Sequence, residues 1–304
     1  MWTAIAVPVA AIGPVADAAS LRLTKRNGTD FGAIRAWGTV GFMAFNALTG
    51  LLVGWFGAAV FLPLYALLNL FRGVASLWLP RFRAPAEART IAAALPTAGK
   101  LREVMQPWFL LPLIGSSLVF GTHIILNAFA ALLWQRQGIP EEVIGPLIAL
   151  AAFAEAATMF AYRRFVGQVP ARQLILISAA ASVVRWSAMA FSPPVYVLVL
   201  LQLLQSLTFA LGYLGTVHFI TKWTSEDIAA EVQSFFVVLQ QAISVVALLG
   251  FGWLIGVMGA KGYLVAALLA LAGGGCVCLS IKMRQPLAQT SQAAPTVHVA
   301  DAAD

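Results

Sequence analysis

Residues 176–191 read LISAAASVVRWSAMAF, a stretch in which Arg185 is the only charged side chain. The whole chain is similar in character: 61% of its 304 residues are hydrophobic and only 10% are charged. Soluble domains contain about half apolar and about a quarter charged residues. The composition therefore excludes a chain that folds in water and indicates a membrane protein.

Nine apolar runs of about twenty residues recur along the chain, each long enough to cross the bilayer core as a helix. They cover residues 2–23, 36–57, 58–80, 108–135, 143–162, 173–192, 194–220, 232–258 and 262–281. None shows the short alternating pattern of a membrane barrel strand. The sequence predicts an all-α membrane protein, a polytopic bundle of nine transmembrane helices.

The positive charge is distributed unevenly between the loops. With alternate loops assigned to the cytoplasm, beginning with the one after the first run, that side receives fifteen of the 19 Lys and Arg residues and the other side only two. The positive-inside rule explains such a bias without any nucleic acid partner. It predicts a multi-pass protein of the bacterial inner membrane, the plasma membrane, with a cytoplasmic C-terminus.

The runs are grouped asymmetrically. Three lie in residues 1–80, a basic cytoplasmic linker occupies 81–107, six runs follow in 108–283, and 284–304 form a small, polar tail that we expect to be disordered. Many secondary transporters consist of two six-helix halves joined by a cytoplasmic linker. We therefore expect a complete C-terminal half and an N-terminal half that lacks its first three helices.

Four ionisable residues interrupt the apolar runs or border them: Asp17, Arg35, Glu155 and Arg185. A charge inside the bilayer is costly, so each needs a partner or a watery cavity. Asp17 and Arg35 have a structural alternative, because both lie near cytoplasmic helix ends, and Arg185 could extend outward to the interface. Glu155 is too short for that, and we expect Glu155 and Arg185 to pair.

Motifs for catalysis are missing from the sequence. It contains no GxxxxGK[ST], HExxH or GxSxG pattern, which would indicate a nucleotide loop, a zinc protease or a serine hydrolase. Cys276 and Cys278 have no second pair or histidine cluster beside them. The sequence therefore predicts neither an enzyme nor a cofactor or metal site.

Several segments resemble one transporter family. PVADAASLRLTKRNGTDFGAIRAWGTVGF, residues 14–42, resembles the fourth-to-fifth helix region of the major facilitator superfamily. More narrowly, it resembles the branch that contains lactose permease and the 3-phenylpropionate (cinnamate) transporters. ASVVRWSAMA (181–190), AFAEAATMF (152–160) and GTHIILNAFAALLWQRQG (121–138) are similar to the ninth, eighth and seventh helices of that branch.

The resemblance implies roles for individual residues. Asp17 and Arg35 would be the acid–arginine pair that lines the site, Glu155 would contact substrate and coupling groups, and Arg185 would take part in proton coupling. The sequence departs from the pattern in the tenth helix, where Gln202, Gln205 and Thr208 replace a lysine, a histidine and a glutamate. Phe42 replaces a tryptophan that stacks on the galactoside, which argues against lactose as the substrate.

The four ionisable residues named above carry two negative and two positive charges, and this balance favours an acidic substrate. Protonation of Glu155 would leave a cavity lined by Asp17, Arg35 and Arg185 with a net positive charge, which suits a carboxylate. We predict proton-coupled uptake of a small aromatic acid such as 3-phenylpropionate by a monomer that binds substrate, protons and the lipid bilayer. The alternatives are a sugar:proton symporter, which would use Asp17, Gln202 and Gln205, and a truncated fragment without transport.

The predicted site has two groups of residues. The substrate-binding group is Asp17, Arg35, Trp37, Phe42, His123, Trp186 and Gln205, and the proton-coupling group is Glu155 and Arg185.

Overall fold

A computed structural model of the chain describes residues 31–77, 105–165, 168–224 and 226–283, together with residues 20, 23–24 and 27–29. Eight helices form its framework: α1 (Phe31–Phe56), α2 (Phe61–Leu77), α3 (Pro107–Arg136), α4 (Glu141–Phe165), α5 (Ala171–Met189), α6 (Val195–Trp223), α7 (Glu226–Met258) and α8 (Tyr263–Lys282). They coincide with eight of the predicted apolar runs, and no strand occurs in these ranges. Almost all of the first run, most of the linker and the tail at 284–304 lie outside the described residues.

Four stretches of the described helices are long and apolar enough to cross a membrane. They are Pro107–Arg136, Glu141–Tyr162, Val195–Trp223 and Glu231–Lys282, the last of which contains most of α7 and all of α8. A shorter apolar helix covers Phe61–Ala75. The part of the chain that the structure describes is thus all-helical and fits a membrane protein, and the count of nine transmembrane helices stays a prediction.

Proline and glycine mark the helix boundaries. Pro107 is the first residue of α3, while Pro170 and Pro194 immediately precede α5 and α6. Proline suits these places because the first backbone N–H groups of a helix have no intrahelical partner. Between α3 and α4, Gly138 has a φ of 85°, a left-handed conformation that other residues rarely adopt.

Helix α3 is the most enclosed of the four membrane-spanning stretches and packs closely on α8. At their crossing the backbones nearly touch, because a Cβ atom on Gly115 would lie 2.5 Å from the carbonyl oxygen of Gly273. Small residues allow such close approach between membrane helices, where van der Waals packing drives association. Helix α8 also packs on α5, so α3, α5 and α8 form one closely packed group.

Helix α1 lies against α4 and runs antiparallel to it. Trp37 meets the Phe160 ring edge-on at 5.8 Å, and two residues later Thr39 reaches Glu155, so numbering rises along α1 as it falls along α4. Many large apolar side chains on α1 and α2 are exposed, among them Trp55 and Phe71, as expected for surfaces that face lipid. The α1–α4 contact forms one side of an internal cavity.

Candidate functional site

A cavity of about 510 Å³ lies between α1, α3, α4 and α6. Each of the four helices contributes side chains to its wall, which consists of Arg35, Gly38, Thr39, Phe42, Leu126, Asn127, Ile148, Ala151, Ala152, Glu155, Gln202, Gln205 and Phe209. The wall is mixed in chemistry, with aromatic and aliphatic surface interrupted by amides and by one residue of each charge. Cavities of this volume are typical of small-molecule sites.

Glu155 and Arg35 are the two charged residues in the described cavity wall. The hydroxyl of Thr39 donates a hydrogen bond of 3.0 Å to Oε1 of Glu155. Arg35 lies close enough to attract the Glu155 carboxylate electrostatically, and Gln205 approaches the same carboxylate from α6. The Arg35 guanidinium also lies 5.2 Å from the centre of the Tyr213 ring, a cation–π distance. An anion site and a cation site therefore adjoin in one chamber.

Arg185 lies behind this wall and is fully buried. Its Nη1 atom donates to Oε1 of Gln205 at 2.5 Å and to Oγ1 of Thr208 at 3.1 Å, and its Nη2 atom donates to Oε1 of Gln202 at 2.6 Å. Within the described ranges no carboxylate lies at ion-pairing distance from it. The expected pairing of Arg185 with Glu155 is therefore wrong as a direct contact, because the Gln205 amide of α6 lies between them.

His123 and Trp186 are buried close to Arg185 and do not line the cavity. The Nε2 atom of His123 is 3.1 Å from Oγ1 of Thr208, and the Trp186 indole N–H donates to Oγ1 of Thr122 at 2.8 Å. Trp186 also stacks on Tyr263, with ring centres 5.8 Å apart. Their polar atoms are satisfied within the protein, which gives both residues a structural role in this arrangement.

The other predicted site residues divide into three cases. Arg35, Phe42 and Gln205 lie in the cavity wall together with Glu155. Trp37 is 67% exposed outside the cavity, where its ring meets Phe160. Asp17 lies outside the described residues, so its predicted role stays a prediction.

A π-helical turn, Ser206–Leu211, interrupts α6 beside the cavity. Such a turn shifts the helical register and leaves part of the backbone hydrogen bonding to be supplied from elsewhere. Ser178 of α5 supplies it, because its hydroxyl donates to the carbonyl oxygen of Thr208 at 2.6 Å. The turn positions Gln205 and Phe209 at the wall, and periodicity in the sequence gave no sign of it.

Sequence reasoning missed Thr39 and Asn127. Thr39 follows Arg35 by four residues, which places both on one face of a helix, so its position next to a charge was a usable signal. Asn127 is an isolated amide in the middle of an apolar run, four residues after His123. Neither position suggests a metal ligand, and the described residues contain no group of three or more His, Cys, Asp or Glu that could hold a metal ion.

Comparison with known proteins assigns the family. The model of the MFS_1 like family matches residues 1–271. The chain belongs to this family. It is therefore a multi-pass membrane protein of the major facilitator superfamily of transporters and not an enzyme, as the sequence predicted.

Relatives of this chain carry different substrate names. The chain is 30% identical over 264 residues to the "Probable 3-phenylpropionic acid transporter" of Escherichia coli (strain K12), covering 85% of this chain and 67% of the relative. It is 30% identical over 237 residues to the "Maltose permease" of Geobacillus stearothermophilus, covering 77% and 57%. An "Uncharacterized transporter YwbF" of Bacillus subtilis (strain 168) is 22% identical over 233 residues, covering 73% and 55%. The chain thus spans only part of the length of the relatives that it matches.

Proposed function

We propose that the protein takes up a small aromatic acid, in the class of 3-phenylpropionate, together with a proton. One observation carries the proposal: Arg35 and Glu155 share a cavity whose wall also contains Phe42 and Phe209. The guanidinium provides a planar, bidentate partner for a carboxylate, and the two rings provide apolar surface for an aromatic body.

Proton coupling follows from competition for Arg35. While Glu155 is ionised, its carboxylate and that of the substrate compete for the same guanidinium. Protonation of Glu155 removes the competitor and leaves the described cavity wall with one positive charge, which favours an anionic ligand. When the substrate leaves, Arg35 again favours the ionised form of Glu155, so the proton is released in the same part of the cycle.

The relative from Escherichia coli supports an acidic substrate, because its printed name is that of a 3-phenylpropionic acid transporter. A sugar remains the second candidate for a specific reason. Thr39, Asn127, Gln202 and Gln205 all belong to the cavity wall, and neutral hydroxyl and amide groups of this kind suit a polyhydroxylated ligand. The relative named maltose permease points in the same direction.

We further propose that the nine apolar runs are transmembrane helices of a monomer in the bacterial plasma membrane, with the C-terminus in the cytoplasm. Three helices, the linker at 81–107 and six helices would then follow one another along the chain. Single cysteines introduced into residues 284–304 of a variant lacking Cys276 and Cys278 should react with a membrane-impermeant thiol reagent only after the cells are opened.

The experiment that tests the substrate uses radiolabelled 3-phenylpropionate in cells that express the chain. Arg35→Gln should lower uptake by roughly tenfold to a hundredfold, since a hydrogen bond to a charged group contributes about 1.5–3 kcal/mol. Arg72→Gln is the matched control, because Arg72 is an exposed arginine of α2 that does not line the cavity. Equal uptake by both variants would contradict the proposed role of Arg35.

Glu155→Gln separates binding from coupling. The amide cannot compete with the substrate for Arg35 as a carboxylate does, so the variant should bind the acid at least as tightly as the unchanged chain. It should no longer concentrate the acid in response to a proton gradient. The coupling role would be refuted if the Glu155→Gln variant still accumulated the acid and lost the accumulated acid when a protonophore was added.

Two further outcomes decide between the alternatives. Saturable uptake of radiolabelled maltose that unlabelled 3-phenylpropionate does not compete would favour the sugar hypothesis. A chain that inserts and binds the acid without moving it would be the non-transporting fragment.

A further inference from the structure

The cavity has two chemically different ends along the helix axes. On α4, Leu147 accepts a hydrogen bond of 3.1 Å from Nε2 of Gln202, so these two residues lie at one level. Glu155 follows Leu147 by eight residues, about 12 Å along the helix. One end of the cavity is therefore ionic, at Glu155 and Arg35, and the other lies beside Gln202 and Ile148.

Asn127 belongs to the second end. Phe120 contacts the Tyr213 ring, and His123 contacts Thr208, so numbering rises along α3 as it falls along α6. Asn127 is one turn beyond His123, about 6 Å further along α3. It therefore lies beside the turn of α6 that begins at Gln202, away from the ionic end.

Among the amides of the cavity wall, those of α6 are committed to partners. Gln202 accepts from Arg185 and donates to the carbonyl oxygen of Leu147. Gln205 accepts from Arg185 and approaches Glu155. Asn127, by contrast, forms no hydrogen bond with any residue in the part of the chain that the structure describes.

An amide that lines a cavity without a protein partner is available to a ligand. Around Asn127 the wall is mostly apolar, with Leu126 next to it on α3 and Ile148 on α4, and the nearby Gln202 amide is already bonded to protein partners. The amide both donates and accepts hydrogen bonds, which matches a hydroxyl group. It carries no charge, so it offers little to a second carboxylate.

We propose that Asn127 binds a hydroxyl group at the end of the substrate opposite its carboxylate. The preferred substrates are then aromatic acids hydroxylated on the ring position farthest from the acid, such as 3-(4-hydroxyphenyl)propionate. The proposal rests on the proposed function, because it takes the carboxylate to lie at Arg35. A phenyl ring with a short carboxylate arm then extends from the ionic end towards Asn127.

The test compares the affinities of the purified chain in lipid nanodiscs for 3-(4-hydroxyphenyl)propionate and 3-phenylpropionate, measured by isothermal titration calorimetry. The unchanged chain should bind the hydroxylated acid about threefold to tenfold more tightly, the range expected for one net hydrogen bond. Asn127→Leu, which has a similar shape, should bring this affinity ratio to one or below. Asn127→Ser should preserve part of the preference, because its shorter hydroxyl side chain still donates and accepts hydrogen bonds at this position.

Asn69→Leu is the matched control, an asparagine of α2 whose Nδ2 donates to the carbonyl oxygen of Tyr65 at 2.8 Å and which does not line the cavity. It should keep the ratio of the unchanged chain. If the ratio of the two affinities were the same in the unchanged chain and in Asn127→Leu, the role of Asn127 would be overturned and the proposed function would stay intact. An unchanged chain that binds neither acid would overturn the proposed function and, with it, this inference.

Discussion

Replacing Arg185 by methionine should disturb the stability of the fold less than removing the amides that hold it. Arg185 is fully buried, and its described partners are the neutral oxygens of Gln202, Gln205 and Thr208. Burying a charge in this way is costly, and the cost disappears with the charge. Arg185→Met therefore removes the desolvation cost together with the charge, whereas removing the amides keeps that cost and takes away the groups that offset it.

The magnitudes follow from the hydrogen bonds. Arg185→Met leaves two buried amide oxygens without a donor, at a cost of about 1–3 kcal/mol each. It also removes a desolvation penalty of several kcal/mol, so the net change in the free energy of unfolding should stay within roughly 2 kcal/mol. The pair Gln202→Leu and Gln205→Leu instead leaves the guanidinium with one described hydrogen-bond acceptor, Thr208, and a loss of about 3–5 kcal/mol is expected.

Thermal unfolding of the purified variants in nanodiscs, followed by size-exclusion chromatography after heating, measures the difference. The triple variant, with Arg185→Met added to the two leucine substitutions, should be more stable than the double variant, because the stranded charge is gone. Such non-additivity is the signature of residues in one network. A triple variant no more stable than the double, or an Arg185→Met variant as unstable as the double, would refute the reasoning.

Two further predictions concern packing. Gly115→Ala should lower the free energy of unfolding by about 1–3 kcal/mol, because the added Cβ meets the backbone oxygen of Gly273. Gly145→Ala, with open space around it, should be tolerated when its thermal unfolding is measured in the same way. Trp186→Phe loses the indole hydrogen bond to Thr122 and should cost about 0.5–1.5 kcal/mol of stability; a large fall in its affinity for 3-phenylpropionate would show that Trp186 belongs to the substrate site after all.

The helices could be predicted from the sequence because each one that crosses the bilayer core needs a run of about twenty apolar residues. Eight of the nine apolar runs correspond to helices in the described residues. The boundaries differ where a helix continues into water: α7 begins at Glu226, before the predicted run at 232, and α4 ends at Phe165, beyond 162. Apolarity marks the part of a helix in lipid, whereas hydrogen bonding continues past it.

The site could be predicted only in part from the sequence. Arg35 and Glu155 could be found because charges in apolar runs are rare and need an explanation. Which aromatic residues reach the cavity could not be predicted, since this depends on helix rotation: Phe42 lies in the wall, whereas Trp37 points elsewhere and Trp186 is enclosed. The π-helical turn adds a local rotation to α6 that no single-residue pattern reports.

The different surroundings of the two arginines assign them different tasks. Arg35 lies in the cavity wall, where a ligand or Glu155 can pair with it. Arg185 is enclosed by neutral oxygens whose charge does not change with pH. Under the proposed mechanism, Glu155 is then the group in the described wall whose charge changes during the cycle. Gln205 accepts a hydrogen bond from Arg185 and approaches Glu155. A change in the charge of Glu155 therefore acts on the hydrogen bonding of Arg185 through the Gln205 amide, and no ion pair has to break.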